Sequence, residues 1–170
     1  MLPLFLNLTG RRVVLVGEGP VADAKRQLLV AAGADVLEVA PSRFEPGQLD
    51  DAWLVVTTAD ADVNREVARA AEARRIFINA ADDPPNASAY LSGVVQRGGV
   101  TIAISTEGAA PGLTGLLREA FDELLPDEIA EWVEEARHLR ATWRRDAVPF
   151  EARRPLLLKA LNSRYARRLS

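Results

Sequence analysis

The stretch Arg12-Val13-Val14-Leu15-Val16-Gly17-Glu18-Gly19-Pro20-Val21-Ala22-Asp23-Ala24-Lys25 decides the fold. A run of β-formers stops at Gly17. A G-x-G-x-x-A pattern follows, and then a helical pattern carrying Val21, Ala24, Leu28 and Leu29. A strand, a glycine corner and a helix N-terminus in this order suit a dinucleotide pyrophosphate. Gly17 permits the turn, Gly19 lets the backbone approach the phosphates, and Ala22 lets the helix pack close to the strand. The free N–H groups and the positive end of the helix dipole then face the anion. An ordinary tight βα turn with no ligand has the same pattern, so the motif alone leaves both open.

Working outward, Leu4, Phe5 and Leu8 form an apolar lead-in ended by Thr9-Gly10. A helix from about Val21 to Ala32 stops at Gly33, and Asp35 to Ala40 is a second strand before Pro41. This βαβ unit implies parallel strands and a right-handed crossover. Ser42 to Ala52 is too short for the helix and third strand of a full nucleotide-binding half, so the strand beside the second is expected to be missing. Trp53 to Thr58 reads as the next buried strand. A helix over about Ala61 to Arg74 follows, capped by Asp60 and Asp62, and then a strand over Ile76 to Asn79. The loop Ala80 to Ser88 lies beyond a strand's carboxyl end, where open parallel sheets bind ligands. Tyr90–Val95 and Val100–Ser105 read as a hairpin. Helices are expected over about Pro111–Leu125, Asp127–Arg145 and Glu151–Arg167, divided near Pro126 and Pro149. The fold class is therefore α/β: a reduced Rossmann-like parallel sheet, a β-hairpin and a C-terminal helical region. The expected domains are 1–108, with the hairpin near 88–105 as a dimerisation element, and 109–170.

Composition narrows the chemistry. The 170 residues are 48% hydrophobic and 26% charged, an ordinary globular mixture. The absence of cysteine removes disulfides, thiolate metal sites and cysteine nucleophiles. His138 is the single histidine, so a multi-histidine metal site and a Ser-His-Asp triad are not expected, and no metal ligand is assigned. No stretch is long and apolar enough to cross a membrane, the N-terminus has no basic n-region, and a cytoplasmic location is the default expectation. Net charge is −3, yet from Arg137 onward ten basic residues face two acids, Asp146 and Glu151. A basic end on an acidic body suggests an anionic partner, although a solvated helix face has the same composition. Nucleic acid is disfavoured because these helices hold few aromatics and no recognition motif.

Several segments together resemble the N-terminal family of siroheme synthase, the precorrin-2 dehydrogenase and sirohydrochlorin ferrochelatase module. They are Leu2-Pro3-Leu4-Phe5, the Val14–Lys25 loop, Trp53–Asn64, Ile76 through Asn79-Ala80-Ala81-Asp82-Asp83-Pro84, and Ile102–Ser105 through Pro111 to Pro126. The resemblance spans about three quarters of the chain; the C-terminal helices match only in character. It implies NAD-dependent oxidation of precorrin-2 to sirohydrochlorin, with iron insertion open, in an intertwined homodimer whose active site lies between the nucleotide and helical parts. Carried over, Gly17, Gly19, Pro20 and Val21 hold the NAD pyrophosphate, Pro41 and Ser42 lie near the adenosine ribose, and Asp82 is the aspartate of both reactions. Arg137, Arg140, Arg144 and Arg145 are candidates for the carboxylates of the tetrapyrrole. The chain departs from the family at Glu18, where a glycine is usual, at Leu91-Ser92, at Thr106-Glu107 and in the short Ser42–Ala52 connection. These departures keep a second class open: a degenerate nucleotide-binding module with a dimerising or regulatory role.

Overall fold

The computed structural model describes residues 2–107 and 109–168, the last six by backbone alone. Arg164, Arg167 and Arg168 of the basic end therefore lie outside the described side chains. Contacts divide the chain into two compact units. One is Met1–Leu91 with Glu107–Ala109, and the other is Ser92–Thr106 with Ala110–Ser170.

The first unit is a four-stranded parallel sheet built from β1 (Arg12–Val16), β2 (Asp35–Val39), β3 (Leu54–Thr57) and β4 (Phe77–Ala80), in the order β2-β1-β3-β4. Val13 to Val16 and Leu54 to Thr57 are buried along their whole length. Two-sided burial explains why both read as continuous apolar runs and not as alternating ones. Among the described residues no strand lies on the outer side of β2. The connection there folds into two short 3-10 turns, Pro41–Arg43 and Pro46–Leu49, and Leu49 plugs the core beside Val39 and Val55. The expected missing strand is thus missing, and the short connection is the reason.

Two helices flank this sheet. Helix α1 (Pro20–Ala31) packs on the face of Val13, Leu15, Leu54 and Val56 through Ala22 and Leu29. Its apolar pattern pointed to Val21 and Leu28, but both are exposed, at 54% and 43%. Helix α2 (Ala61–Arg74) lies on the opposite face and buries Asn64, Val67, Ala70 and Ala71. The Asp60 carboxylate caps it, accepting from the N–H groups of Asp62 and Val63 at 3.0 Å each. Arg75 ends it in the left-handed region, at φ 58. Trp53, expected inside β3, sits outside the strand and 46% exposed, with the Arg11 guanidinium 4.0 Å from its ring centre. That cation–π contact accounts for an apolar residue left at the surface.

In the second unit, β5 (Gly93–Arg97) and β6 (Val100–Ile104) form an antiparallel hairpin. Gly98 and Gly99 make its turn at φ 54 and 83, the two positive values that a tight right-twisted hairpin needs. A Cβ on Gly98 would lie 2.6 Å from the Ala130 nitrogen, so the tip is sealed against helix α4 (Ile129–Arg145). Helix α3 (Pro111–Leu124) is clamped to β5 by Arg97, which reaches Asp122 at 2.9 Å and the Leu125 carbonyl at 2.9 Å. The hairpin, expected with the nucleotide-binding part, thus packs with the helices. Helix α5 (Phe150–Arg168) contains Pro155, which takes one N–H out of its ladder.

Candidate functional site

Register brings the carboxyl ends of the four strands level. Val16 pairs with Val39 and Thr57, and Thr57 pairs with Ala80. The residues just beyond continue the pairing: Gly17 donates to the Val39 carbonyl at 3.0 Å, Thr58 to Val16 at 2.9 Å and Ala81 to Thr57 at 2.9 Å. The glycine corner, Pro41-Ser42 and the Asp82 loop therefore share one sheet edge. The corner and the Asp82 loop are separated by β3, a gap of about 10 Å at two strand spacings.

The corner has the form of an anion site. Gly19 is the N-cap of α1 at φ 83, has no side chain to offer, and has nothing within 4 Å of where a Cβ would stand. The helix has no side-chain cap. Pro20 carries no N–H and contributes shape alone, while Asp23 already donates to the Gly19 carbonyl at 3.0 Å. The amides of Val21 and Ala22 are left to an external acceptor. Gly17 has a different duty. A Cβ there would collide with Thr58 Oγ1, so the glycine permits a close approach of β1 and β3. Thr58 Oγ1 is itself buried and without a hydrogen-bond partner, which leaves a donor at the junction where the strand order reverses. Open space over Gly19, unpaired helix amides and an orphaned hydroxyl beside Gly17 fit a dinucleotide. Glu18 is exposed, so its carboxylate stands in solvent. Glu38 is also at the surface, 3.9 Å from Arg26.

Two adjacent acids in the loop after β4 are treated differently. Asp82 is exposed, sits at φ 55 and has no hydrogen-bonded carboxylate oxygen among the described residues. Asp83 is half-buried, and one of its oxygens accepts from Asn64 Nδ2 at 3.1 Å and Asn86 Nδ2 at 2.8 Å. Thr57 Oγ1 completes the chain by donating to Asn64 Oδ1 at 2.7 Å. Asn79 is buried and holds the returning segment by donating to the Ala89 carbonyl at 3.0 Å, with its own Oδ1 unpartnered. Thr57, Thr58, Asn64 and Asp83 escape sequence reasoning because their roles depend on register. One signal was available: Asn64 shares a helical face with Val67 and Ala71, a polar residue in an apolar stripe.

In the second unit, Arg137, Arg140 and Arg144 form a stripe along α4 with Arg145 at its margin. All four are exposed. Arg137 pairs with Glu134 at 2.6 Å and Arg145 with Asp146 at 2.9 Å, while Arg140 and Arg144 have no ion-pair partner among the described residues. His138 is exposed beside Glu134 and Glu135. No cluster of three or more His, Cys, Asp or Glu side chains among the described residues is placed to hold a metal, and no described helix is long and apolar enough to cross a membrane.

The first unit is therefore a Rossmann-like dinucleotide-binding fold. A family model described as "Putative NAD(P)-binding" matches residues 4–93, and the chain belongs to that family. It is 38% identical over 160 residues to siroheme synthase 2 of Klebsiella pneumoniae, covering 82% of this chain and 35% of that protein. It is 34% identical over 190 residues to siroheme synthase of Citrobacter koseri, covering 99% of this chain and 42% of the other. The chain thus spans well under half the length of these relatives. Among solved structures, the precorrin-2 dehydrogenase SirC matches 100% of this chain and 93% of its own, at a TM-score of 0.71 and 25% identity.

Proposed function

We propose that the chain oxidises precorrin-2 to sirohydrochlorin with NAD, as a step of siroheme biosynthesis. The observation that carries this is the shared sheet edge, where an uncapped helix N-terminus over a glycine cradle stands two strands from a partner-free carboxylate. Gly19, Val21 and Ala22 present backbone to the pyrophosphate, Gly17 and Pro20 shape the turn, and Pro41 and Ser42 flank the ribose side. A bound nicotinamide supplies the hydride acceptor. Oxidation also releases a proton, and the Asp82 carboxylate takes it up; exposed and without a hydrogen-bond partner among the described residues, it needs no partner exchanged first. Unpaired Arg140 and Arg144 hold substrate carboxylates, with Arg137 and Arg145 joining once released from their neighbours. Helix α3 buries none of its residues and exposes Leu113, Leu116 and Leu124 at 50%, 66% and 74%, which supports a homodimer formed through this helix and the hairpin.

Anaerobic turnover of precorrin-2 with NAD or NADP tests the proposal, with iron insertion into the product followed in parallel. Wild type is expected to reduce NAD with appearance of sirohydrochlorin. Asp82→Asn keeps the left-handed backbone and should lose about 100-fold or more in rate, the low end for a general base. No reduction of either nicotinamide, together with no thermal stabilisation by NAD, would refute it.

A further inference from the structure

We infer that Asn64, with Asp83 and Asn86, is a positioning device that sets the direction of the Asp82 carboxylate; this rests on the catalytic role proposed for Asp82. Asp82 is the second residue beyond β4 and stands at φ 55, a conformation that aspartate tolerates but does not prefer. Such a conformation persists when its surroundings over-determine it. On its N-terminal side, Ala81 donates to the Thr57 carbonyl at 2.9 Å, which ties the loop to β3. On its C-terminal side the Asp83 carboxylate is gripped by Asn64 and Asn86, and the Asn86 N–H returns to the Asp83 carbonyl at 3.1 Å. Asn64 is 2% exposed, and its Oδ1 is already taken by Thr57, so its amide has one orientation available. The direction of that amide is thus inherited from a wholly buried threonine inside the sheet. Asp83, held through Oδ2 by two donors, serves as a strut, while the exposed Asp82 carboxylate has no hydrogen-bond partner among the described residues. No residue of the device lies in the glycine cradle, so its loss separates from cofactor binding.

Two variants test the device in the full-length chain. Asn64→Asp keeps the shape and the acceptor for Thr57 but sets a carboxylate against Asp83. Asn86→Ala is the milder variant, since Asn86 is half-buried and holds Asp83 from the loop itself. Each should lower kcat by about 10-fold or more, the scale on which a displaced catalytic group acts. KM and the Kd for NAD should stay within roughly two-fold, and neither variant should reduce turnover further in an Asp82→Asn background. An unchanged kcat in folded Asn86→Ala, or an equal further loss in the Asp82→Asn background, would overturn the device while leaving Asp82 its role. Full turnover by Asp82→Asn alone would overturn both.

Discussion

Substituting Gly17 by alanine tests the packing logic of the corner directly. The new Cβ would fall inside the contact radius of Thr58 Oγ1, 3.2 Å from Thr58 Cβ and 3.4 Å from Ala22 Cβ. Three atoms on two elements crowd one methyl. The hydroxyl cannot easily swing aside, because Thr58 is β-branched and its Oγ1 is enclosed. Overpacking of this kind costs about 1–3 kcal/mol. Each kcal/mol lowers the melting midpoint of a protein of this length by about 2–4 °C. Thr58→Ala removes the oxygen that meets the methyl first and also deletes a buried group with no partner, so it should be near neutral by itself. In the double variant the remaining Cβ contact at 3.2 Å needs a shift of only a few tenths of an ångström. Chemical denaturation of the four proteins, without cofactor, gives the coupling energy; more than half the cost of Gly17→Ala should vanish in the Thr58→Ala background. If Gly17→Ala melts with wild type, or if its cost is the same with and without the threonine, the glycine is not there for close approach and the argument fails.

Arg75→Gly, at the left-handed end of α2, should raise stability by about 0.5–1 kcal/mol, since relief of a non-glycine residue at φ 58 exceeds the added chain entropy. A lower midpoint in thermal denaturation would contradict this. Arg140→Ala with Arg144→Ala should weaken tetrapyrrole binding by about 10-fold or more and leave NAD affinity unchanged, as two charged hydrogen-bonding groups are lost; titration followed by tetrapyrrole absorbance decides it.

Those elements of the fold that rest on local rules were legible in the chain. The runs Val13–Val16 and Leu54–Thr57 announced buried parallel strands, Asp60 announced the start of α2, and the paired runs Tyr90–Val95 and Val100–Ser105 announced the hairpin. Errors fell where a second element competes with local pattern. Trp53 is apolar yet covered by Arg11 rather than the core, and α1 leaves Val21, Ala24 and Leu28 exposed while the expected Ala22 and Leu29 turn inward. The anion cradle was legible as a motif. The clash that requires Gly17 and the Thr57–Asn64–Asp83 chain were not, because both join residues whose adjacency exists only after β3 slots between β1 and β4. Two neighbouring aspartates with opposite surroundings cannot be told apart from their letters alone.

The segment after the Asp82 loop has a practical consequence. The Ser88 and Ala89 amides both donate to the Ile78 carbonyl, at 2.9 and 2.8 Å, and Ser88 Oγ accepts from the Ile78 amide at 3.0 Å, so the outer margin of β4 is already occupied. Ala89 and Leu91 also pack against the α1-side core. Trimming the chain to an isolated cofactor-binding fragment must therefore keep residues through Leu91. A cut at Asn86, which looks natural from the strand pattern, would leave a bare sheet margin open to a second molecule and make the fragment prone to self-association.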